Sequence, residues 1–148
     1  MTQTTHVKTT THSELIALGF SEPLVLRTLA YLDALNVCDA NGVGTRHGGR
    51  YAHYYVEPST LARQKYVRVV MDTNPGGDHG RSVHAFIVKS SGQLVKPAGW
   101  QGPAKSTAAG KKGEFLSNYT LTDDDSFAKL LVVLTDPGAW TGGYLYQR

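Results

Sequence analysis

The side chains able to do chemistry are few and scattered. Four of the six histidines, His47, His53, His79 and His84, fall between positions 47 and 84. None pairs with a carboxylate at helical spacing or with a cysteine, so no zinc motif is spelled out. Asp72 or Asp78 joining distant histidines is the one metal arrangement left open; no metal and no cofactor are expected. The single cysteine, Cys38, forbids an internal disulfide. It falls near the C-terminal end of an expected helix, where the dipole raises a thiol pKa, so it reads as a buried small residue rather than a nucleophile. There is no Gly-x-Ser-x-Gly elbow and no phosphate-cradling Gly-x4-Gly-Lys-Ser/Thr. Asp123-Asp124-Asp125 reads as a helix cap before it reads as a cation site. Catalysis therefore has no support, and binding chemistry is left.

Binding chemistry concentrates in the middle of the chain. Residues 61–112 hold nine Lys/Arg against Asp72 and Asp78, a balance of +7 within a net charge of +3. Residues 1–60 carry four against five acids and residues 113–148 two against five. A basic block between mildly acidic ends attracts anions, unless the ends fold back to neutralise it.

The elements that position these groups follow from spacing. At 148 residues with 41% hydrophobic and 18% charged side chains, the chain can fill one core. Residues 1–12 are Thr-rich and polar and read as a flexible arm, leaving 13–148 as a single domain. Ser13 to Leu18 is a short helix stopped at Gly19. Ser21-Glu22-Pro23 starts a second helix, whose stripe of Leu24, Val25, Thr28, Leu29, Leu32 and Leu35 ends near Val37. Asp39 to Gly49 reads as loop. Arg50 to Val56, Lys65 to Met71, Arg81 to Lys89 and Gln93 to Pro97 are candidate strands, the last three forming an antiparallel meander. Ala98 to Gly113 reads as loop, Phe115 to Leu121 as a further strand, and residues after Asp123 as a helix buried along Phe127, Leu130, Leu131 and Leu134. Tyr144-Leu145-Tyr146 is a candidate final strand. The expected class is α+β, a meander packed against an N-terminal and a C-terminal helix. No apolar run reaches the roughly 20 residues of a membrane span, and no secretory pattern opens the chain.

Alternation assigns the two sheet faces. Val67, Val69 and Met71 with Val83, Ala85 and Ile87 form the side for the helices to cover. Tyr66, Arg68 and Val70 with Ser82, His84, Phe86 and Val88 form the other. If bare, that second face suits single-stranded nucleic acid: Tyr66 and Phe86 stack on bases while Arg68, Arg81 and His84 hold the backbone. Lys96, Trp100, Lys105, Lys111 and Lys112 extend it as a stacking and phosphate clamp. If covered, its rings are core and its cations rim.

Lys65-Tyr66-Val67-Arg68-Val69-Val70, the strand Ser82-Val83-His84-Ala85-Phe86, the turn glycine Gly92, the run Lys96-Pro97-Ala98-Gly99-Trp100 through Pro103-Ala104-Lys105 and the ending Gly142-Gly143-Tyr144-Leu145-Tyr146 resemble a family of small bacteriophage-encoded accessory proteins. The likeness covers roughly a third of the chain. Gln101-Gly102 departs from its Lys-Ala, residues 106–113 read as an insertion, and the first sixty residues have no counterpart. It implies a phage origin and the host bacterial cytoplasm, or the virion, as the place of action; it implies no reaction.

Three functions follow as expectations. The first is a non-enzymatic protein binding nucleic acid or a ribonucleoprotein through the basic residues named above. The second is a module docking on a host or virion protein through the helix of residues 22–37 or through Tyr51, Tyr54 and Tyr55. The third is a winged helix with residues 22–37 as recognition helix and 46–55 as wing, against which stands its single cation, Arg27.

Overall fold

The structure, a computed structural model, describes residues 10–42, 53–57, 65–73, 80–99, 102–103, 117–136, 139 and 143–145. Helix α1 (His12–Ala17) is capped by Thr11, whose hydroxyl accepts from the Glu14 amide at 3.2 Å. It ends at Gly19, which takes the left-handed conformation at φ +93°. Helix α2 (Glu22–Gly42) opens with Ser21 Oγ accepting from the Leu24 amide and with Pro23 in the first turn, as the sequence predicts. It buries Leu24, Val25, Thr28, Tyr31, Leu32, Leu35 and Cys38. The helix runs five residues past the expected stop at Val37. Cys38 is the reason: its buried Sγ meets the Asp136 carbonyl at 3.1 Å, and this packing overrides the poor helix propensity of Asp39 and Asn41.

One five-stranded sheet follows, in the order β1 (His53–Glu57), β2 (Tyr66–Asp72), β3 (Arg81–Val88), β4 (Gln93–Val95), β7 (Ser117–Thr120), every pair antiparallel. The expected three-strand meander lies at its centre, widened by one strand on each side. β1 is an edge strand, and its outward backbone is closed by side chains. Asn36 of α2 accepts from the Tyr54 amide at 2.7 Å and donates to its carbonyl at 3.3 Å, while the Val56 amide donates to Thr10 Oγ1 at 2.7 Å. Thr10 is buried by this contact, so the folded part reaches back into the expected arm.

Pro97 ends β4's run, and β5 (Pro97–Gly99) pairs with β6 (Gly102–Pro103) in a small separate ribbon inside the expected loop. Helix α3 (Asp124–Val133) is capped by Asp123, whose carboxylate accepts from the Ser126 amide at 2.9 Å. Gly143–Leu145 is a 3₁₀ turn, not the expected strand, and it carries Tyr144 and Leu145 into the core.

The α2 stripe, Leu15 of α1, Leu130 of α3 and the turn pack on one sheet face: Tyr54, Val56, Val67, Val69, Ala85, Ile87 and Leu94. The class is α+β, with helices from the two ends of the chain on a largely meandering antiparallel sheet. The opposite face holds a smaller cluster of Phe86, Val88 and Val95 with Tyr66 and Val83 beside it.

Candidate functional site

The two sheet arginines of the expected basic face do come together, but on a carboxylate. Glu57 faces Arg68 across β1 and β2 and bonds its Nη1 at 2.9 Å. The other Glu57 oxygen takes Arg81 Nη2 at 2.7 Å, and Arg81 Nε donates to the Tyr55 hydroxyl at 3.1 Å. Glu57 accordingly raises the Arg81 pKa. Tyr55 is buried, which raises its own pKa against the opposing pull of Arg81. Asp72, also buried, pairs in register with Arg81. Two guanidinium groups and two carboxylates thus lie along β1, β2 and β3, and their formal charges balance.

The rings of that face are together as well, Phe86 enclosed and Tyr66 partly buried beside it. Tyr66 and Phe86 meet edge to face at 5.3 Å and 78°. Phe86 is only 1% exposed, with β5 and β6 packed against its strand, so its ring offers no open surface for a base. Tyr54 and Tyr55, expected as exposed docking groups, are 1% and 3% exposed and belong to the interior. Lys96 is half-buried between β4 and β5. Lys89 donates to the Leu18 carbonyl at 3.1 Å. Trp100, Lys105, Lys111 and Lys112, like Tyr51, lie outside the described residues.

His84 is not on that face. Val69 stands opposite Ala85 and Val70 opposite Val83, so His84 is the additional residue of a β-bulge. The bulge swaps the expected orientations: Val83 joins Phe86 on the far face, and His84 turns into the helix-covered core. There its ring meets Tyr54 edge-on at 5.1 Å. Its Nε2 lies 2.7 Å from the Tyr144 hydroxyl, which lies 2.6 Å from the Tyr31 hydroxyl. Each phenol has one proton, so the three groups form a directed chain of hydrogen bonds. Burial lowers the His84 pKa from 6.5 to about 4 and raises both phenols. At neutral pH the chain is uncharged, its rings held by packing on every side. Tyr31 is missing from the stripe expected for α2, although its spacing from Leu24, Thr28 and Leu35 is the signal that marks it as core; its link to Tyr144 has no sequence signal.

The outer face of α2 is different. Leu26 and Val37 are 58% and 54% exposed and, eleven positions apart, lie on one line of the helix with Ala30 and Asp33 between them. Arg27 is turned away from solvent work: it donates to the Leu121 carbonyl at 3.2 Å, pairs with Asp124 and covers the Phe127 ring at 4.5 Å. A recognition helix would need that cation, and here it fastens α2 to α3.

A model described as a family of unknown function, DUF7717, matches residues 8–147. The chain belongs to this family. The matched span takes in residues 8–60 of the DUF7717 chain, which carry no part of the phage-protein likeness, together with the Lys96 to Lys105 segment. No curated protein and no solved structure matches it. Among the described residues of this DUF7717 chain no three metal-ligating side chains are gathered, and no helix is long and apolar enough to cross a membrane.

Proposed function

We propose that this DUF7717 chain is a non-catalytic, phage-encoded accessory protein that docks on a host or virion protein through the outer face of α2. One observation carries the reading: Leu26 and Val37, both more than half exposed, share one line on the outer face of a helix whose inner face is core. Burying what each leaves exposed would contribute on the order of 1 kcal/mol, before the contribution of neighbouring side chains. Asp33 lies between them, Glu22 at the helix start is bonded to His12 at 2.6 Å, and Arg27 is engaged with α3. The face is therefore apolar with an acidic edge, and its complement is an apolar groove bordered by Lys or Arg. The resemblance to phage accessory proteins supports the phage origin and the host cytoplasm as the place of action.

The test is a pull-down from nuclease-treated host lysate with the full chain and with the pair Leu26→Glu and Val37→Glu, followed by binding measurements on the purified partner. The expected result is a nuclease-resistant partner that survives raised salt and is lost with the double variant. Retention by the double variant would overturn the reading.

Nucleic-acid binding stays as a second reading because residues 61–112 carry a balance of +7, nine cations against two acids. With Arg68 and Arg81 held by Glu57, its contacts shift to Trp100, Lys105, Lys111 and Lys112. Affinity for single-stranded RNA or DNA should then fall steeply with salt and drop when Lys111 and Lys112 become Gln. No binding at low salt removes this reading.

A further inference from the structure

A cleft of about 460 Å³ opens between β7, α3 and the C-terminal turn, lined by Asn118, Tyr119, Lys129, Val133 and Tyr144. Its size falls within the range of sites for small organic ligands. The lining divides into two kinds of surface. Tyr119 and Tyr144 set two rings 6.2 Å apart, inclined at 52°, and Val133 adds an apolar side chain. Among the described residues of the lining, Lys129 supplies the only charge.

The state of that lysine is what distinguishes the cleft. Arg27, Arg68 and Arg81 are each ion-paired, and Lys89 is bound to a carbonyl. Lys129 forms no ion pair among the described residues, although Asp125 precedes it by one helical turn. The cleft walls are held in place independently of any ligand: Asn118 Nδ2 donates to the Tyr144 carbonyl at 3.1 Å, and the Tyr144 hydroxyl is anchored on Tyr31 and His84. A preformed, ring-walled cleft with an ammonium at its lining that has no ion pair among the described residues is suited to a ligand that is flat and apolar at one end and anionic at the other. Inorganic phosphate alone would leave the rings unused, and an uncharged aromatic would leave the ammonium unused.

We propose that this cleft binds a small aromatic anion, an aromatic ring bearing a single carboxylate, sulfonate or phosphate, with Lys129 facing the anion and Tyr119, Tyr144 and Val133 holding the ring. The site is separate from the outer face of α2 and does not depend on the docking reading.

Two probes test it on the full chain: 1-anilinonaphthalene-8-sulfonate and its uncharged counterpart N-phenyl-1-naphthylamine, titrated by fluorescence and by amide chemical shifts. The anionic probe should bind more tightly and shift Asn118, Tyr119, Lys129, Val133 and Tyr144. Lys129→Gln should weaken it about threefold to fivefold, the range of a solvent-exposed ion pair, and leave the neutral probe unchanged. Lys65→Gln, at an exposed lysine on the other side of the sheet order, should change neither. Val133→Trp should block both by filling the cleft. Equal affinity for the two probes, shifts centred on α2, or an unaltered affinity in Lys129→Gln would each overturn the proposal, and the exposed position of Lys129 keeps that variant folded.

Discussion

His84 Nε2 and the Tyr144 hydroxyl lie 2.7 Å apart in the core although sixty residues separate them in the chain. The contact exists because a bulge turns one residue of β3 inward and a 3₁₀ turn brings the C-terminal segment across the sheet. It makes a buried imidazole part of the fold, and a buried imidazole ties stability to pH.

The sign follows from the two states. In the folded chain His84 titrates at about 4, and in the unfolded chain near 6.5, so between these values the unfolded state takes up more protons. The contribution of neutral His84 is complete above pH 6.5 and is lost as pH falls toward 4, where the loss reaches roughly 3 kcal/mol. Urea midpoints at pH 7, 5.5 and 4.5 should decline accordingly. His84→Phe should cost about 1 kcal/mol at pH 7 and flatten most of that decline. An equally steep decline in the variant would place the proton uptake elsewhere.

The chain of hydroxyls predicts an unequal pair of variants. Tyr31→Phe leaves Tyr144 bonded to His84 and should cost about 1 kcal/mol. Tyr144→Phe leaves both the Tyr31 hydroxyl and His84 Nε2 buried without their partner and should cost about 2–4 kcal/mol. Adding Tyr31→Phe to Tyr144→Phe should then be neutral or stabilising, because it deletes a stranded group. Chemical denaturation of the three variants decides it; additive losses would mean that the hydroxyls act independently.

What the sequence reveals here is local order, and what it hides is everything that depends on one added residue or on distance. The start of α2 and the cap of α3 were legible because Ser21, Pro23 and Asp123 act on the backbone beside them. Strands β2 and β3 were legible because alternation needs no knowledge of the partner. The side taken by His84 was not: a bulge without glycine or proline leaves no mark, and parity counted through it inverts Val83 and His84. Arg68 and Arg81 read as free backbone contacts for nucleic acid, but Glu57, which neutralises half their charge, sits on a different strand, where no local pattern announces the pairing. Arg27 reads as a surface cation in sequence and is a clasp between helices in space. The β5–β6 ribbon, with two or three residues per strand, is too short for any periodicity to show.

Two glycines with positive φ separate backbone strain from crowding. Gly92, at φ +75°, turns β3 into β4, and a Cβ there would lie 2.9 Å from Thr122 Oγ1 and 3.3 Å from the Thr122 amide nitrogen. Gly19, at φ +93°, has open space where a Cβ would sit. Gly19→Ala should cost about 1–2 kcal/mol from conformation alone. Gly92→Ala should cost more, since Thr122, whose hydroxyl donates to the Ser91 carbonyl, must also move. Thermal melts of the two variants give the order, and a reversed order would show that the turn yields more easily than the end of α1.

Glu57 holds the key to whether the sheet face can meet nucleic acid. Its carboxylate bonds Arg68 and Arg81 at 2.9 and 2.7 Å, so Glu57→Gln keeps the shape while raising the local charge by one. Partly buried charge-assisted bonds of this kind contribute modestly, and a stability loss of about 1–2 kcal/mol is expected. With Phe86 enclosed and the arginines serving the fold, the variant should bind single-stranded DNA no better than the natural chain at low salt. The salt dependence of binding should also be unchanged. If instead the slope of affinity against salt steepens by about 0.7, the value of one added phosphate contact on a single strand, the freed arginines are reaching the backbone and the sheet is a nucleic-acid surface restrained by Glu57.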